Sequence, residues 1–176
     1  MKFLLTAINA KFIHSNPAIY SLRAGVGEKL QPYVELAEFT INESLESILE
    51  GIWKRQPKVI GFSCYIWNWK LIREILTELP KILPDTEIWL GGPEVSFDAA
   101  KVLGELPEAT GVMKGEGEET FAQLAGYYVD KLCKKGTDSG KILPDGQAGL
   151  ENIPGLAFRL PDGSLADTGV RRAMDM

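Results

Sequence analysis

Only two cysteines occur in 176 residues, Cys64 and Cys133, and they form no CxxC pair. A disulfide framework is therefore not expected, and this usage suits a reducing cytoplasm. Histidine is scarcer still, with His14 alone. One imidazole without neighbouring Cys or His makes a poor protein-built metal site, so no metal ligand is assigned to the chain. No stretch reaches the ~20 apolar residues that cross a bilayer. Phe3-Leu4-Leu5 behind Lys2 is too short for the apolar core of a signal peptide. Basic charge is in deficit: 19 Lys and Arg face 24 Asp and Glu, for a net charge of -5. The tight basic groups, Lys134–Lys135 and Arg171–Arg172, read as solvated loop charges. Neither nucleic acid nor a membrane is an expected partner. No GxGxxG follows the first apolar run and no GxxxxGK[ST] occurs, which removes two common nucleotide-phosphate sites. No internal repeat is present.

What the chain does have is core material. Hydrophobic residues make up 45% and charged residues 24%, the usage of one ordinary domain. Strand and helix signals alternate along it. Lys2–Ile8 is a short apolar run and predicts the first strand. Ala18–Leu30 carries Ile19, Leu22, Val26 and Leu30 at helical spacing, with Asn16 as cap, Pro17 in the first turn and Pro32 as breaker. Tyr33–Phe39 predicts a strand. Asn42 or Ser44 then caps a helix to about Gln56, with Leu45, Ile48, Leu49 and Ile52 inward and Glu43, Glu46 and Glu50 wet. Val59–Ser63 is apolar on both faces, as in a parallel sheet covered on both sides. A helix over Asn68–Leu83 follows, ended or distorted by Pro80. Glu87–Leu90 predicts a strand, Phe97–Leu106 a short helix, Gly111–Lys114 a strand and Glu118–Leu132 the last long helix. Trp53 and Trp89 are expected in core or helix–sheet packing. Lys134–Leu150 reads as an exposed loop. Leu156–Leu160 and Leu165–Ala166 predict a β-hairpin about Asp162-Gly163.

Repeated β-α units predict an α/β fold: a three-layer Rossmann-like (flavodoxin-like) doubly wound parallel sheet with a C-terminal β-hairpin. Such sheets bind ligands beyond the carboxyl ends of their strands. The residues after each strand are therefore the candidates. After the fourth comes GGPEVSF at 91–97 and after the fifth GEGEETF at 115–121. Glycines there let backbone approach a bulky ligand, although a plain strand-to-helix turn uses them too. Glu118 and Glu119 suit a helix N-terminus; Glu116 is not explained that way. So many carboxylates disfavour an anionic ligand and suit a neutral one rich in amide N–H groups. The loop after the third strand, Cys64-Tyr65-Ile66-Trp67-Asn68-Trp69, is aromatic. It suits a flat ligand or a partner surface, and equally local packing under the next helix. The first loop, Asn9–Pro17, is long enough to fold over a ligand.

GGPEVSF, GEGEETF and IPGLAFR at 153–159 together resemble the N-terminal half of the cobalamin-dependent radical S-adenosylmethionine proteins, whose members include the anaerobic magnesium-protoporphyrin monomethyl ester cyclase. The resemblance runs from the first strand through the hairpin. It implies a domain holding cobalamin, vitamin B12, at the carboxyl edge of its sheet. The matching cofactor-binding positions are Ser63, Cys64, Tyr65 and Trp67; Gly91, Gly92, Pro93 and Glu94; and Gly115, Glu116 and Gly117. Asn9, Lys11, His14, Ser15 and Asn16 join them from the first loop. Two features depart from relatives. Glu94 stands where His often follows GGP, and the DxHxxG of the methionine synthase type is missing, so the lower cobalt ligand is undefined.

A CxxxCxxC cluster motif is also absent. An iron–sulfur cluster with S-adenosylmethionine would belong to a catalytic barrel in cis, beyond this chain. Residues 1–133 are the expected cofactor domain, 134–150 a loop, and 151–176 a hairpin and linker towards that barrel. By itself the chain is expected to bind and not to catalyse. Two other readings stand beside this one: a flavodoxin-like nucleotide-binding domain, and a ligand-free module that docks a catalytic domain.

Overall fold

Five short apolar runs separated by helical segments form one sheet. The structure, a computed structural model, describes residues 2–11, 15–133 and 149–170. Its strands are β1 (Phe3–Asn9), β2 (Val34–Thr40), β3 (Val59–Ser63), β4 (Glu87–Gly91), β5 (Gly111–Met113), β6 (Leu156–Arg159) and β7 (Leu165–Asp167). They lie in the order β2-β1-β3-β4-β5-β6-β7. The first five are parallel, and β6 and β7 add antiparallel. This is the expected doubly wound sheet, and the hairpin continues it beyond β5.

Side chains alternate across each strand, so one strand feeds two cores. Leu4 and Ile8 of β1 face the core that holds Ile48, Ile52, Ile72 and Leu76. Phe3, Leu5 and Ala7 face the core of Ile19, Phe121 and Leu124. The first core lies under α2 (Leu45–Arg55), α3 (Trp69–Ile82), α4 (Pro93–Ser96) and α5 (Ala99–Glu105). The second lies under α1 (Pro17–Gly25) and α6 (Glu118–Cys133). Three layers result. Among the described residues, no helix is long and apolar enough to cross a membrane.

Local chemistry sets the helix starts. The Asn16 side chain accepts from Ala18 N, with Pro17 in the first turn, and the Ser44 hydroxyl accepts from Ser47 N. Two expectations are corrected, on the end of α1 and on Trp53, and others are narrowed. α1 stops at Gly25 and not Leu30, because the chain turns through Gly27 at φ 75°. Val26 and Leu30 are buried all the same. Pro80 does not end α3, which runs on to Ile82. The short helix expected over Phe97–Leu106 is α5, started by the Asp98 cap, and a further short helix, α4, opens ahead of it at Pro93; Phe97 between the two is 100% exposed. Trp53 is not core but 50% exposed.

Trp89 is core. Its indole N–H donates to the Tyr128 hydroxyl at 2.8 Å, and that hydroxyl donates to Glu87. Burial, with the Glu87 carboxylate beside it, pushes the Tyr128 phenol far up. Gly111 leaves room for the indole: a Cβ there would run into the Trp89 ring and sit 2.8 Å from the Ala157 carbonyl oxygen. Gly111→Ala should therefore destabilise by about 1–3 kcal/mol, read as a lower denaturant midpoint with an unchanged slope.

Candidate functional site

The carboxyl ends of β1, β3, β4 and β5 share one edge, and the strand order reverses between β1 and β3. Connections there leave in opposite directions, so a crevice opens. Its floor carries a cavity of about 380 Å³ between the sheet and α1. Leu5, Ile19, Leu22 and Met113 make its inner walls apolar, and Ser63, Ser96 and Glu118 give it a few polar groups. Such a mixture is typical of small-molecule sites.

The rim is built by the loops themselves. After β3, Cys64 N donates to Gly91 O at 2.7 Å, and Glu94 N donates to Cys64 O at 3.4 Å. This pairing explains Gly92. A Cβ there would stand 2.5 Å from Cys64 O, and φ is 105°. The close approach of the protein's own backbone is thus enough to require glycine here. Gly91 differs, since the nearest atoms a Cβ there would meet are those of Met113, at 3.5 Å and beyond.

Asn68 is the buried organiser of this edge, with 0% exposure. Its amide N–H groups donate to Ile8 O at 3.0 Å and Ser63 O at 2.9 Å, and its oxygen accepts from Tyr65 N at 2.9 Å. One side chain thus ties β1, β3 and the aromatic loop. Tyr65 and Trp67 stack on each other, 4.4 Å between centroids and 7° from parallel. Tyr65 lines the cavity floor, and both line a second hollow with Asn9, Ser15 and Asn16. Ile66 projects outward at 82% exposure.

Glu38, at the end of the edge strand β2, holds the first loop. Its carboxylate accepts from Asn9 Nδ2 at 2.6 Å, from Asn16 N at 3.2 Å and from the Tyr20 hydroxyl. Asn16 then reaches across to the cavity wall, donating to Ser63 Oγ at 3.1 Å. Partial burial raises the Glu38 carboxyl, but the three donors outweigh it and hold it below the ordinary glutamate value. At the mouth, the Ser21 hydroxyl donates to Glu118 at 3.0 Å.

The sequence-chosen residues therefore divide. Ser63, Tyr65, Gly91, Gly92, Pro93, Gly115 and Gly117 line the cavity; Asn9, Ser15, Asn16, Tyr65 and Trp67 line the adjoining hollow. Lys11, Glu94 and Glu116 are exposed and line neither. Cys64 is fully buried, and burial pushes its thiol well above the ordinary range. Its contribution is the backbone pairing with Gly91. His14 lies outside the described residues. Sequence reasoning missed Gly61, Leu5, Ala18, Leu22 and Met113 in the walls, and Glu38 and Asn68 behind them. Gly61, inside an apolar strand, was the one visible signal.

Two outcomes follow. Asn68→Leu leaves two carbonyls and one N–H without their buried partner and should cost about 2–4 kcal/mol in a denaturation midpoint. Glu38→Gln should lower the thermal midpoint near neutral pH. Because the folded pKa of Glu38 is depressed, its contribution is complete above the ordinary value of 4.5 and is lost as pH falls through the depressed one. The gap between wild type and Glu38→Gln should therefore close in acid, and a gap that widens there would contradict this hub.

Comparison with known proteins supplies a domain family and a fold. Residues 4–125 match the B12 binding domain. The cobalamin-dependent radical SAM methyltransferase TokK of Streptomyces tokunonensis is 28% identical over 69 residues, 39% of this chain and 10% of TokK. The cobalamin-dependent S-adenosylmethionine radical enzyme OxsB, solved with aqua-cobalamin and S-adenosylmethionine bound, superposes with a TM-score of 0.65 at 18% identity, over 97% of this chain and 22% of OxsB. The radical S-adenosylmethionine methyltransferase TsrM of Kitasatospora setae, solved with tryptophan and a SAM analogue, gives 0.62 at 20% identity, over 95% of this chain and 30% of TsrM. The chain thus spans less than a third of each relative's length. With more than half its length matched to one domain family, this chain belongs to the B12-binding domain family.

Proposed function

We propose that the carboxyl-edge crevice holds cobalamin, and that the chain serves as the cobalamin module of a radical S-adenosylmethionine enzyme. The observation that carries this is the cavity of about 380 Å³ opening between α1 and the ends of β1, β3, β4 and β5. It is too small for a whole corrin. Its apolar walls suit one part of the cofactor, the planar benzimidazole of the nucleotide tail, and the corrin would then rest on the rim. Ser63, Gly91, Gly115, Gly117 and Tyr65 form the contact set for the tail. Backbone groups after β3, β4 and β5 would meet the corrin's peripheral amides, with Asn9, Ser15, Asn16 and Trp67 on the first-loop side. Exposed Ile66 and Phe97 offer apolar surface at the same edge.

When bound, the corrin cobalt supplies methyl- or electron-carrying chemistry. The chain's own residues bind and orient; none is assigned a catalytic role. Among the described residues no group of three or more His, Cys, Asp or Glu could hold a metal ion. The iron–sulfur cluster and S-adenosylmethionine would reside in a barrel in cis. On this reading residues 1–133 carry the cofactor, 134–150 connect, and 151–176 lead towards the barrel, in a cytoplasmic protein.

The test is retention. Mixed with hydroxocobalamin and desalted, the protein should keep a corrin spectrum. Cobinamide, which lacks the nucleotide tail, should bind at least about tenfold more weakly. Gly91→Val, which fills the cavity without forcing a positive φ, should lose cobalamin by a similar factor while leaving cobinamide nearly unchanged. A clean protein spectrum, or tight flavin in its place, would overturn the reading. Gly92→Val would not serve, since it breaks the Cys64 contact first.

A further inference from the structure

The match to the B12 binding domain stops at residue 125, yet the wall of the crevice nearest β5 is held by residues after it. β5 has three residues, pairing with β4 on one side and β6 on the other. Lys114 follows, and its exposure is only 7%. An ammonium is expensive to bury unless a partner comes with it. Its partner is Asp167 at the end of β7. That carboxylate also accepts from Gly169 N at 2.8 Å. Gly169 O accepts from Gly155 N at 3.1 Å, and Gly155 O accepts from Lys114 N at 2.7 Å. Lys114, Asp167, Gly169 and Gly155 thus form a closed circuit of side-chain and main-chain contacts.

The circuit backs the crevice directly. Gly115, next to Lys114, lines the cavity. A Cβ on Gly115 would meet Val170 at 3.5 Å, so the chain leaving the hairpin packs behind the 115–117 loop. Thr120, in the first turn of α6, donates to Pro154 O at 3.0 Å and ties the far end of that loop to the same hairpin. Lys114 and Asp167 line neither hollow themselves.

We propose that Lys114 is a positioning residue for the cofactor, and that the Lys114–Asp167 pair makes the C-terminal hairpin a working wall of the binding site. This rests on the cobalamin reading above. Asp167 is the better test position, because its side chain is 56% exposed where that of Lys114 is only 9% exposed.

Hydroxocobalamin affinity is measured for wild type, Asp167→Asn, Lys114→Met, the double variant and Lys114→Arg. Each single variant should weaken binding about tenfold. The double should be no weaker than the worse single, as for two ends of one interaction. Lys114→Arg should restore part of the loss, with circular dichroism unchanged throughout. Hydrogen exchange of amides 115–117 in ligand-free protein supplies a second arm, and it should speed up in Asp167→Asn. Wild-type affinity in Asp167→Asn, losses that multiply in the double, or unaltered exchange at 115–117 would each overturn the proposal. If wild type itself retains no corrin, the cobalamin reading fails; the exchange arm still decides whether the pair positions the loop.

Discussion

A fully buried side-chain amide holds this edge of the sheet together. Where strand order reverses, β1 and β3 part company, and their last carbonyls would face an apolar interior without partners. Unpaired carbonyls there are costly, so the crevice can exist only if something bonds them. Asn68 does so from the start of α3 and also captures Tyr65 N. The opening is therefore not a packing defect. It is a gap whose polar rim is satisfied from behind, which leaves the front free for a ligand.

Around that point the loops divide their work. Cys64 and Gly91 zip the β3 and β4 connections together through backbone alone. Glu38 draws the first loop towards the edge strand, and Asn16 passes that restraint to Ser63. Lys114 and Asp167 steady the β5 connection from the other flank. The inner walls, by contrast, carry apolar side chains from β1, α1 and β5. Rigidity comes from polar contacts outside the cavity, and the cavity is left with shape and apolar surface. Such a site favours a ligand that is itself divided, with an apolar plate at one end and hydrogen-bonding groups around another.

Much of the fold was legible because its signals are local. Val59–Ser63 reads as a strand from its apolar run, Asn16 and Ser44 announce helix starts, and Asp162-Gly163 marks the hairpin turn, with Gly163 at φ 85°. The site was half legible. Glycine-rich loops after β4 and β5 pointed to the right edge, but the reason attached to Gly92 did not hold, because its neighbour is another loop of the same chain. Contacts of that kind join residues about thirty to sixty apart in sequence, such as Asn9 with Glu38 or Asn68 with Ile8. No periodicity records them. Trp53 shows the converse: an apolar residue near a helix end reads as core, yet α2 turns it outward.

The four tryptophans occupy four different settings. Trp89 is sealed in the core, Trp69 is half-buried beneath Arg73, Trp53 faces solvent, and Trp67 stacks on Tyr65 beside the crevice. Corrins absorb light where indoles emit. Indole emission would therefore dim when a corrin is bound anywhere on this small domain, whereas the emission of the sealed Trp89 would shift on unfolding. The intensity of that emission would then follow occupancy and its wavelength the integrity of the fold, without attaching a dye.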